Sequence, residues 1–509
     1  MKTKHYSIIL LFSFLLMTKL TPAQENLTFQ LPPESILKLA DYQRAPQVAM
    51  DTEKEWMLLS YRDTYKSLQD LNQQEMSLAG LRVNPMTNIS SNMNYISNLK
   101  VRKVKGKEEI QVKNLPAKPR IAYLTWSPDE TKVAFTNTTD NGVELWVLDI
   151  VSASATKLTD ATVNANLGNP VNWYRDSKAL LVRLLPEKRN NLIDGKKSLP
   201  AGPIISVSDG SKAQNRTYQD MLKNPSDEEN FVTLTTSELV KVDLNGNKTG
   251  YKKADMYAGE TFSPDGNFVL ISVIHKPFSY IVPLNRFPQT TAVFDLDGKL
   301  IKTVEETPLN EVLPKGFMAV RKGKRNINWR SDMPATLFYV EAMDEGDPKN
   351  KVDYRDAVYQ WDAPFAAEPT LLVKSVLRFS NIIWGDATTA ILQDEWYDTR
   401  QVKTYLFNPS KPGSEPKVIF DRNYQDVYSD PGDFETDKNK FGKYVLAIHN
   451  NQLYLVGAGY TPKGQFPFVD AFSLKTLKTS RLYQSSCTDK MEEIFSIEDY
   501  KKGEILVRL

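Results

Sequence analysis

The feature that most constrains the fold is a strand–turn–strand unit that recurs along the chain. Its two clearest copies are Thr-Trp-Ser-Pro-Asp-Glu at residues 125–130 and Thr-Phe-Ser-Pro-Asp-Gly at 261–266, and a β-rich run follows each of them. Proline presets the φ angle of the first turn position, aspartate accepts backbone N–H bonds, and glycine tolerates positive φ where the next strand begins. Each unit is therefore predicted to be a β-hairpin.

Weaker copies extend the pattern over most of the chain. They begin near residues 50, 173, 329 and 384, and residues 438–448 and 497–509 align with them less securely. The aromatic landmarks of the clearer copies are Trp126, Trp173, Phe262, Trp329 and Trp384, which are 47, 89, 67 and 55 residues apart. A four-stranded propeller blade with short loops takes roughly 40 to 50 residues, so most blades are expected to carry insertions.

This repeat predicts an all-β protein, a β-propeller of seven or eight four-stranded blades whose last blade need not be complete. Four-stranded blades bury their faces only against one another, which requires such a ring. The alternative, a β-sandwich, would show strands about every 8 to 12 residues without a longer period. A short helical insertion is predicted at residues 199–235, with the helix at 217–223 and its end at Asn224 and Pro225.

Residues 1–23 are predicted to be a secretory signal peptide. Lys2 and Lys4 precede an apolar run at residues 8–17, and small residues then lead to a predicted cleavage after Ala23. An apolar run of this length covers only about half of a roughly 30 Å bilayer core, which argues against a membrane anchor. We therefore expect a secreted protein, periplasmic or extracellular, with no membrane contact after cleavage and with its propeller at residues 24–509.

Composition argues against several classes of function. The 64 Lys and Arg residues nearly balance the 62 Asp and Glu residues, so no nucleic-acid partner is expected. The one cysteine, Cys487, permits neither an intramolecular disulfide nor a Cys-rich zinc site. No phosphate-binding Gly-rich loop or metal-ligand pattern occurs, so no cofactor and no metal are expected. The basic run at residues 321–325 is interpreted as a hydrated loop.

Two acidic clusters resemble functional sites in composition. Asp394, Glu395 and Asp398 resemble the paired carboxylates of a glycosidase, but alternation along a strand would place the first two on opposite faces, so a polar strand-end loop is favoured. The acidic residues at 344, 345, 347 and 353 lack the spacing of an EF-hand calcium loop, so a solvated insertion is favoured.

Several longer stretches carry a family resemblance. They are Leu-Pro-Pro-Glu at 31–34 with Ala-Pro at 45–46, Arg-Thr-Tyr-Gln-Asp at 216–220, Ser-Tyr-Ile-Val-Pro at 279–283 with Arg-Phe-Pro at 286–288, and a long segment from 329 to 365 that ends in Trp-Asp-Ala-Pro-Phe. On these residues the chain resembles the N-terminal propeller of secreted serine peptidases of the prolyl oligopeptidase family, and most closely the glutamyl endopeptidase branch. In that family the propeller caps a C-terminal α/β-hydrolase domain that carries the Ser, Asp and His of the catalytic triad.

We expect this chain to lack that catalytic domain. The family nucleophile needs Gly-x-Ser-x-Gly, but the only glycines four positions apart, Gly246 and Gly250, flank Lys248. The histidines that remain after signal cleavage, His275 and His449, are interpreted as structural residues at strand ends. No catalytic residue and no activity of the chain alone are therefore expected. The strand-like pattern at residues 503–509 favours a product truncated or split before the hydrolase domain.

The resemblance implies a function as the noncatalytic, substrate-gating cap of a peptidase, with a peptide substrate as partner once a catalytic domain is joined. Glutamyl specificity requires a cation beside the substrate carboxylate, and a bidentate arginine fits best. The family-like stretches supply Arg216, Arg286 and Arg355 as candidate substrate-binding residues, although each can equally form a structural ion pair. The alternative function is a stand-alone periplasmic propeller that acts as a binding or scaffold module.

Overall fold

The computed structural model describes residues 31–195 and 217–508. The predicted signal peptide and Arg216 therefore lie outside the described residues. The described part contains seven four-stranded antiparallel sheets, one further hairpin, and three smaller sheets in the connections. These seven sheets are propeller blades, so the prediction of an all-β propeller is confirmed.

The first half of the ring contains blades 1 to 4. The first helices and the strands of blade 1 with its inserted small sheet are α1 (Glu34–Ala40), β1 (Gln47–Met50), β2 (Trp56–Tyr61), α2 (Leu68–Leu71), β3 (Met76–Leu78), β4 (Leu81–Asn84), β5 (Ile89–Ser90), β6 (Asn98–Lys103) and β7 (Ile110–Gln111). Blade 2 consists of β8 (Ile121–Trp126), β9 (Lys132–Thr139), β10 (Gly142–Asp149) and β11 (Ser154–Lys157). Blade 3 consists of β12 (Val171–Trp173), β13 (Ala179–Leu184), β14 (Ser237–Asp243) and β15 (Lys248–Asp255), with helix α3 (Pro225–Thr235) between its second and third strands. Blade 4 consists of β16 (Tyr257–Phe262), β17 (Phe268–Ile274), β18 (Gln289–Asp295) and β19 (Leu300–Thr307).

The second half contains blades 5 to 7 and the last hairpin. Blade 5 consists of β20 (Arg325–Trp329), β21 (Thr336–Ala342), β22 (Asp356–Asp362) and β23 (Thr370–Ser375). Blade 6 consists of β24 (Arg378–Asp386), β25 (Thr389–Trp396), β26 (Gln401–Phe407) and β27 (Lys417–Asn423). Blade 7 and its two small inserted hairpins comprise β28 (Asp433–Phe434), β29 (Thr436–Lys438), β30 (Tyr444–Leu446), β31 (Gln452–Gly457), β32 (Tyr460–Thr461), β33 (Gly464–Gln465), β34 (Phe468–Ser473) and β35 (Thr479–Gln484). The last hairpin is formed by β36 (Glu493–Asp499) and β37 (Glu504–Arg508).

The aromatic landmarks close the first strand of blades 2 to 5. Two of them also reach the preceding blade. The indole N–H of Trp173 donates to the carbonyl of Thr125 at 2.9 Å, and that of Trp329 donates to the carbonyl of Thr261 at 3.1 Å. The tryptophan of the repeat therefore ties one blade to the blade before it.

The hydrophobic core lies between blades. Leu145 of blade 2 and Leu180 of blade 3 share one buried cluster, and Val340 of blade 5 and Leu392 of blade 6 share another. Every successive pair from blade 1 to blade 7 shares such a cluster. The hairpin β36–β37 packs on blade 7, and Lys54 of blade 1 donates to its Ile497 carbonyl at 3.3 Å. The hairpin therefore stands in the ring between blades 7 and 1.

The prediction of a helix at residues 217–223 is wrong, because helix α3 begins only at Pro225. The side chain of Asn224 accepts the backbone N–H of Asp227 at 2.9 Å and caps the helix. Proline fits the first helical turn, where its missing N–H would have had no partner in any case. The Asn-Pro pair thus starts a helix here, whereas the sequence pattern predicts the end of one.

Candidate functional site

The two faces of the propeller carry different connections between strands. The turns that join first and second strands lie on one face, which we call the turn face. They contact one another there, since Asp129 N–H donates to Ser177 Oγ at 3.0 Å and Asp265 N–H donates to the Pro334 carbonyl at 2.9 Å. The connections between second and third strands lie on the opposite face, which we call the insertion face. The long connection at 62–97 and the described parts of the next long one, residues 185–195 and 217–236, belong to it.

A loop of blade 7 crosses the turn face. This loop, residues 439–443 between β29 and β30, is called the channel turn below. Arg175 of blade 3 donates from Nη2 to the carbonyl of Lys440 at 2.9 Å and from Nη1 to the carbonyl of Phe441 at 3.0 Å. The same Nη1 donates to the carbonyl of Pro264 in blade 4 at 2.8 Å. One guanidinium therefore joins three blades.

Further contacts tie the channel turn to blade 5 and the residue before it to blade 2. Asn439 Nδ2 donates to the carbonyl of Ser331 in blade 5 at 2.8 Å. Beside the turn, Lys438 pairs with Glu130 of blade 2, whose carboxylate also accepts the backbone N–H of Thr52 in blade 1 at 2.7 Å. Burial by itself raises the pKa of Glu130, but the hydrogen bonds from Lys438 and Thr52 outweigh it and hold that pKa below its ordinary value.

The channel turn closes the central channel at the turn face. A cavity of about 730 Å³ lies beneath it. The cavity is lined by the ends of the first strands of blades 2 to 4 and by the turn itself, with Trp126, Trp173 and Phe262 among its walls. A loop from blade 7 that contacts blades 2, 3 and 5 can reach them only by passing over the axis of the ring.

Three insertions fold together on the insertion face. The small sheet of blade 1, helix α3 of blade 3 and the connection of blade 4 share a buried cluster that includes Leu78, Phe231 and Phe287. The ring of Phe231 lies 5.7 Å from that of Phe287. At its edge, Arg82 Nε pairs with Asp220 Oδ2 at 2.7 Å. The insertions thus form a second small core outside the ring.

Both described ends of the chain lie on the insertion face. Strand β1 runs from this face to the turn face, and residues 40–42 before it contact the connection at 62–97, where Tyr65 Oη donates to the Ala40 carbonyl at 2.9 Å. Strand β37 runs the opposite way from a turn near Lys54, since Lys54 Nζ lies 3.1 Å from Glu498 Oε2. Arg508 therefore also lies at the insertion face.

Two of the predicted substrate-binding arginines are described, and both belong to insertion-face connections. Arg286 ends a short 3-10 turn (Leu284–Arg286), and its guanidinium lies 5.3 Å from the ring centre of Tyr218. Arg355 donates to Asp344 Oδ2 at 2.9 Å and lies 4.5 Å from the ring centre of Trp396. They come from adjacent blades, 4 and 5, and their role in binding substrate stays a prediction.

A buried ionic network surrounds Arg355. Arg378 donates through both terminal nitrogens to Asp344, at 2.6 and 3.1 Å, and also to Asp356 at 2.9 Å. Asp344 is 1% exposed, so the interpretation of this acidic segment as a solvated insertion is wrong for Asp344. Burial alone raises the pKa of Asp344, but the hydrogen bonds from Arg378 and Arg355 outweigh it and hold that pKa below its ordinary value. The sequence held no signal for this network, because its members are up to 34 residues apart.

Comparison with known proteins finds relatives of this chain. No family model matches. The chain is 34% identical over 500 residues to a probable chloroplastic glutamyl endopeptidase of Oryza sativa subsp. japonica, in an alignment that covers 94% of this chain and 53% of that relative. It is 33% identical over 500 residues to the protein of the same name in Arabidopsis thaliana, with 94% and 52% covered. Over nearly all of its length, the chain is therefore related to glutamyl endopeptidases. It spans about half the length of the curated relatives it matches.

Solved structures similar to this propeller include an acylaminoacyl peptidase of Pyrococcus horikoshii, with 13% identity, a TM-score of 0.39, and 86% of this chain and 53% of that chain covered. The β-propeller domain of the Trilobed protease from Pyrococcus furiosus is 12% identical, with a TM-score of 0.36 and coverages of 87% and 98%. The fold assignment rests on the seven four-stranded sheets themselves.

Within this peptidase-family propeller, Asp394 does not lie in a polar loop as the sequence suggested. It lies within β25, is fully buried, and accepts the N–H of Leu377 at 2.8 Å and the hydroxyl of Tyr405 at 2.9 Å. Burial raises the pKa of Asp394 to about 6. Glu395 points to the other face of the strand, as alternation predicts. The two carboxylates therefore form no pair.

The histidines of this propeller contact other side chains. His275 Nε2 lies 2.9 Å from Thr290 Oγ1. His449 Nε2 lies 2.6 Å from Asp437 Oδ2, and its ring stacks on Tyr500 of the last hairpin with ring centres 4.0 Å apart. His449 thus helps to hold the hairpin β36–β37 against blade 7.

The basic run of this propeller is not the freely hydrated loop that the sequence suggested. Arg321 and Lys324 both pair with Glu305, and Arg325 pairs with buried Asp356. Within residues 31–195 and 217–508, no group of three or more His, Cys, Asp and Glu side chains could hold a metal ion. Over the same residues, no helix is both long and apolar enough to cross a membrane.

Proposed function

We propose that this chain is the noncatalytic propeller portion of a secreted serine peptidase of the prolyl oligopeptidase family, and that it gates the access of peptides to a catalytic domain. One observation carries this proposal. The channel turn closes one end of the central channel, whereas both described chain ends and the long insertions lie at the opposite face. A domain joined to these ends would meet the insertion face.

This geometry supports a gating role by size exclusion. With the turn face closed, a peptide can reach a domain at the insertion face only at the rim between the two bodies. A folded protein is too large to pass through a gap at this rim, whereas an extended peptide is narrow enough. For the glutamyl side chain, we propose that Arg216, Arg286 or Arg355 supplies the cation, because a guanidinium matches a carboxylate with two parallel hydrogen bonds.

The first test is to sequence the source DNA for about a thousand bases beyond the codon for Leu509, the span of one hydrolase domain of roughly 250 to 300 residues. We expect an open frame with Gly-x-Ser-x-Gly followed by Asp and His. An unrelated downstream sequence would contradict the proposal and favour the stand-alone binding or scaffold propeller.

The second test is biochemical. The chain alone should not cleave peptides that contain glutamate, and the longer product should cleave them while sparing folded proteins. Mass spectrometry of the mature protein from its host checks secretion, because cleavage after Ala23 leaves Gln24 as the first residue. A chain that retains Met1 in the cytoplasm would rule out the secreted form.

A further inference from the structure

A second cavity, of about 710 Å³, lies on the insertion face between the insertion of blade 1 and the edge of blade 2. We call it the amide pocket. Its wall carries three large apolar side chains, Leu68, Leu71 and Met86, together with five carboxamides at positions 69, 72, 73, 74 and 84. Its volume falls in the range of roughly 300 to 1,000 Å³ that is usual for ligand sites.

The apolar side chains of the amide pocket are unusually exposed. Leu68 is 84%, Leu71 66% and Met86 58% exposed, and all three border the same cavity. Single exposed apolar side chains are ordinary, but a group of them around a concave site indicates a contact surface. Their grouping predicts an occupant with an apolar part.

Four of the five carboxamides form two sets, and the fifth, Gln69, donates from Nε2 to Asp140 Oδ1 at 3.3 Å. Asn84 Nδ2 donates to Gln73 Oε1 at 3.0 Å, and Gln73 Nε2 donates to the Asp70 carbonyl at 3.1 Å, so these two side chains stiffen the wall. Asn72 and Gln74 are exposed, and their side chains make no hydrogen bond to any residue in the described ranges. Two amide groups therefore remain available to an occupant.

Two polar atoms of the wall are buried without a partner among the described residues. Thr87 is only 5% exposed, yet its Oγ1 has no hydrogen-bond partner. Arg120 Nη2 pairs with Asp70 at 2.7 Å, whereas its buried Nε has no partner. Buried polar atoms are rarely left unpaired in folded proteins, so both atoms point to a missing polar neighbour.

We propose that the amide pocket binds an uncharged, extended peptide segment that carries an apolar side chain. A carboxamide offers one acceptor and two donors, which match the N–H and C=O of a peptide unit. The apolar side chain would lie among Leu68, Leu71 and Met86. The charge of Arg120 is already balanced by Asp70, and the carboxylate of Asp140 also borders the cavity, so the pocket offers little to an anionic ligand. This inference rests on the proposed function in one respect, that peptides are the substrates, and it adds a binding site separate from the candidate glutamyl-binding arginines.

The test is saturable photo-cross-linking of the full chain with the blocked peptide acetyl-Ala-Ala-photoleucine-Ala-Ala-amide. We expect cross-links at residues 68–87 or 120, mapped by mass spectrometry. Leu71→Asn should raise the peptide concentration at half-saturation at least about tenfold. Thr87→Val, which keeps the shape of the side chain and removes Oγ1, should raise it about fivefold. The control is Leu482→Asn, since Leu482 is 56% exposed on the outer strand of blade 7 and should leave binding unchanged.

Cross-linking that does not saturate, that maps elsewhere, or that Leu71→Asn leaves unchanged would overturn the inference. If Leu71→Asn fails to fold by circular dichroism, Leu68→Gln supplies the same test. Cellohexaose is titrated in parallel as a competitor. If this sugar, but not excess peptide, protects the pocket from cross-linking, the inference is also overturned. The measurement needs no catalysis. Loss of peptide binding together with an intact downstream hydrolase frame would refute the pocket alone, and binding without such a frame would refute the proposed function alone.

Discussion

Arg175 and Phe441 are 266 positions apart in the chain, yet Arg175 Nη1 donates to the Phe441 carbonyl at 3.0 Å. The guanidinium also lies 5.4 Å from the centre of the Phe441 ring. Because Arg175 belongs to blade 3 and Phe441 to blade 7, this contact spans the ring. Through this contact the channel turn connects two blades that are not neighbours in the ring.

Replacement of Arg175 by Ala should loosen the channel turn. The variant removes three hydrogen bonds from a charged donor to backbone carbonyls, so we expect a loss of about 2 to 4 kcal/mol in the free energy of unfolding. Hydrogen exchange at residues 438–446 should quicken. Arg175→Lys keeps the charge but loses the forked set of guanidinium donors. Its stability and its exchange rates should fall between those of the wild type and Arg175→Ala. Unchanged exchange at these residues in Arg175→Ala would show that the turn needs no such brace.

Replacement of Arg378 by Met should destabilise the protein strongly. Asp344 and Asp356 would keep their negative charges in the interior with fewer partners, and breaking a buried pair in this way costs about 3 to 5 kcal/mol. The matched control is Arg508→Met. Its pair with Glu493, at 3.5 Å, is mostly exposed and should matter little. Equal urea midpoints for the two variants would contradict this expectation.

Asp394 should make stability depend on pH. Its folded-state pKa of about 6 lies above the usual value of about 3.9, so between these pH values the native state holds a proton that the unfolded chain has lost. Its contribution to stability is therefore largest below about pH 4 and is lost as the pH rises through about 6, by roughly 3 kcal/mol in total. Asp394→Asn cannot titrate. The difference in unfolding free energy between wild type and this variant, measured from pH 4 to pH 7, should follow that trend, and a flat difference would refute it.

Gly266 should not tolerate a side chain. Its φ is +78°, and an added Cβ would lie 2.6 Å from Cβ of Arg175. We expect Gly266→Ala to cost about 2 to 4 kcal/mol, from the left-handed backbone together with the overlap. Gly250→Ala is the control, because that position has open space and no positive φ. Thermal unfolding of both variants tests the difference, and a similar melting temperature would contradict it.

The sequence predicted the ring because its signals are local. The Ser-Pro-Asp-Gly turn at 263–266 and the strand after it need only their own backbone chemistry to form a hairpin, and the period of such hairpins implies blades. The sequence pattern predicts the wrong position for helix α3 for a related reason. Asn224 and Pro225 suit either end of a helix in sequence, and only the capping bond to Asp227 decides between them.

The sequence by itself determined the repeat, the strand alternation that separates Asp394 from Glu395, and the relation to a peptidase family. Only the tertiary structure decided that Asp344 is buried under Arg378, that residues 439–443 close the channel, and that Leu71 and Thr87 border one pocket. The physical reason is that these properties come from contacts between blades. Burial, charge pairing and the shape of a cavity depend on side chains that the ring brings together from distant parts of the chain.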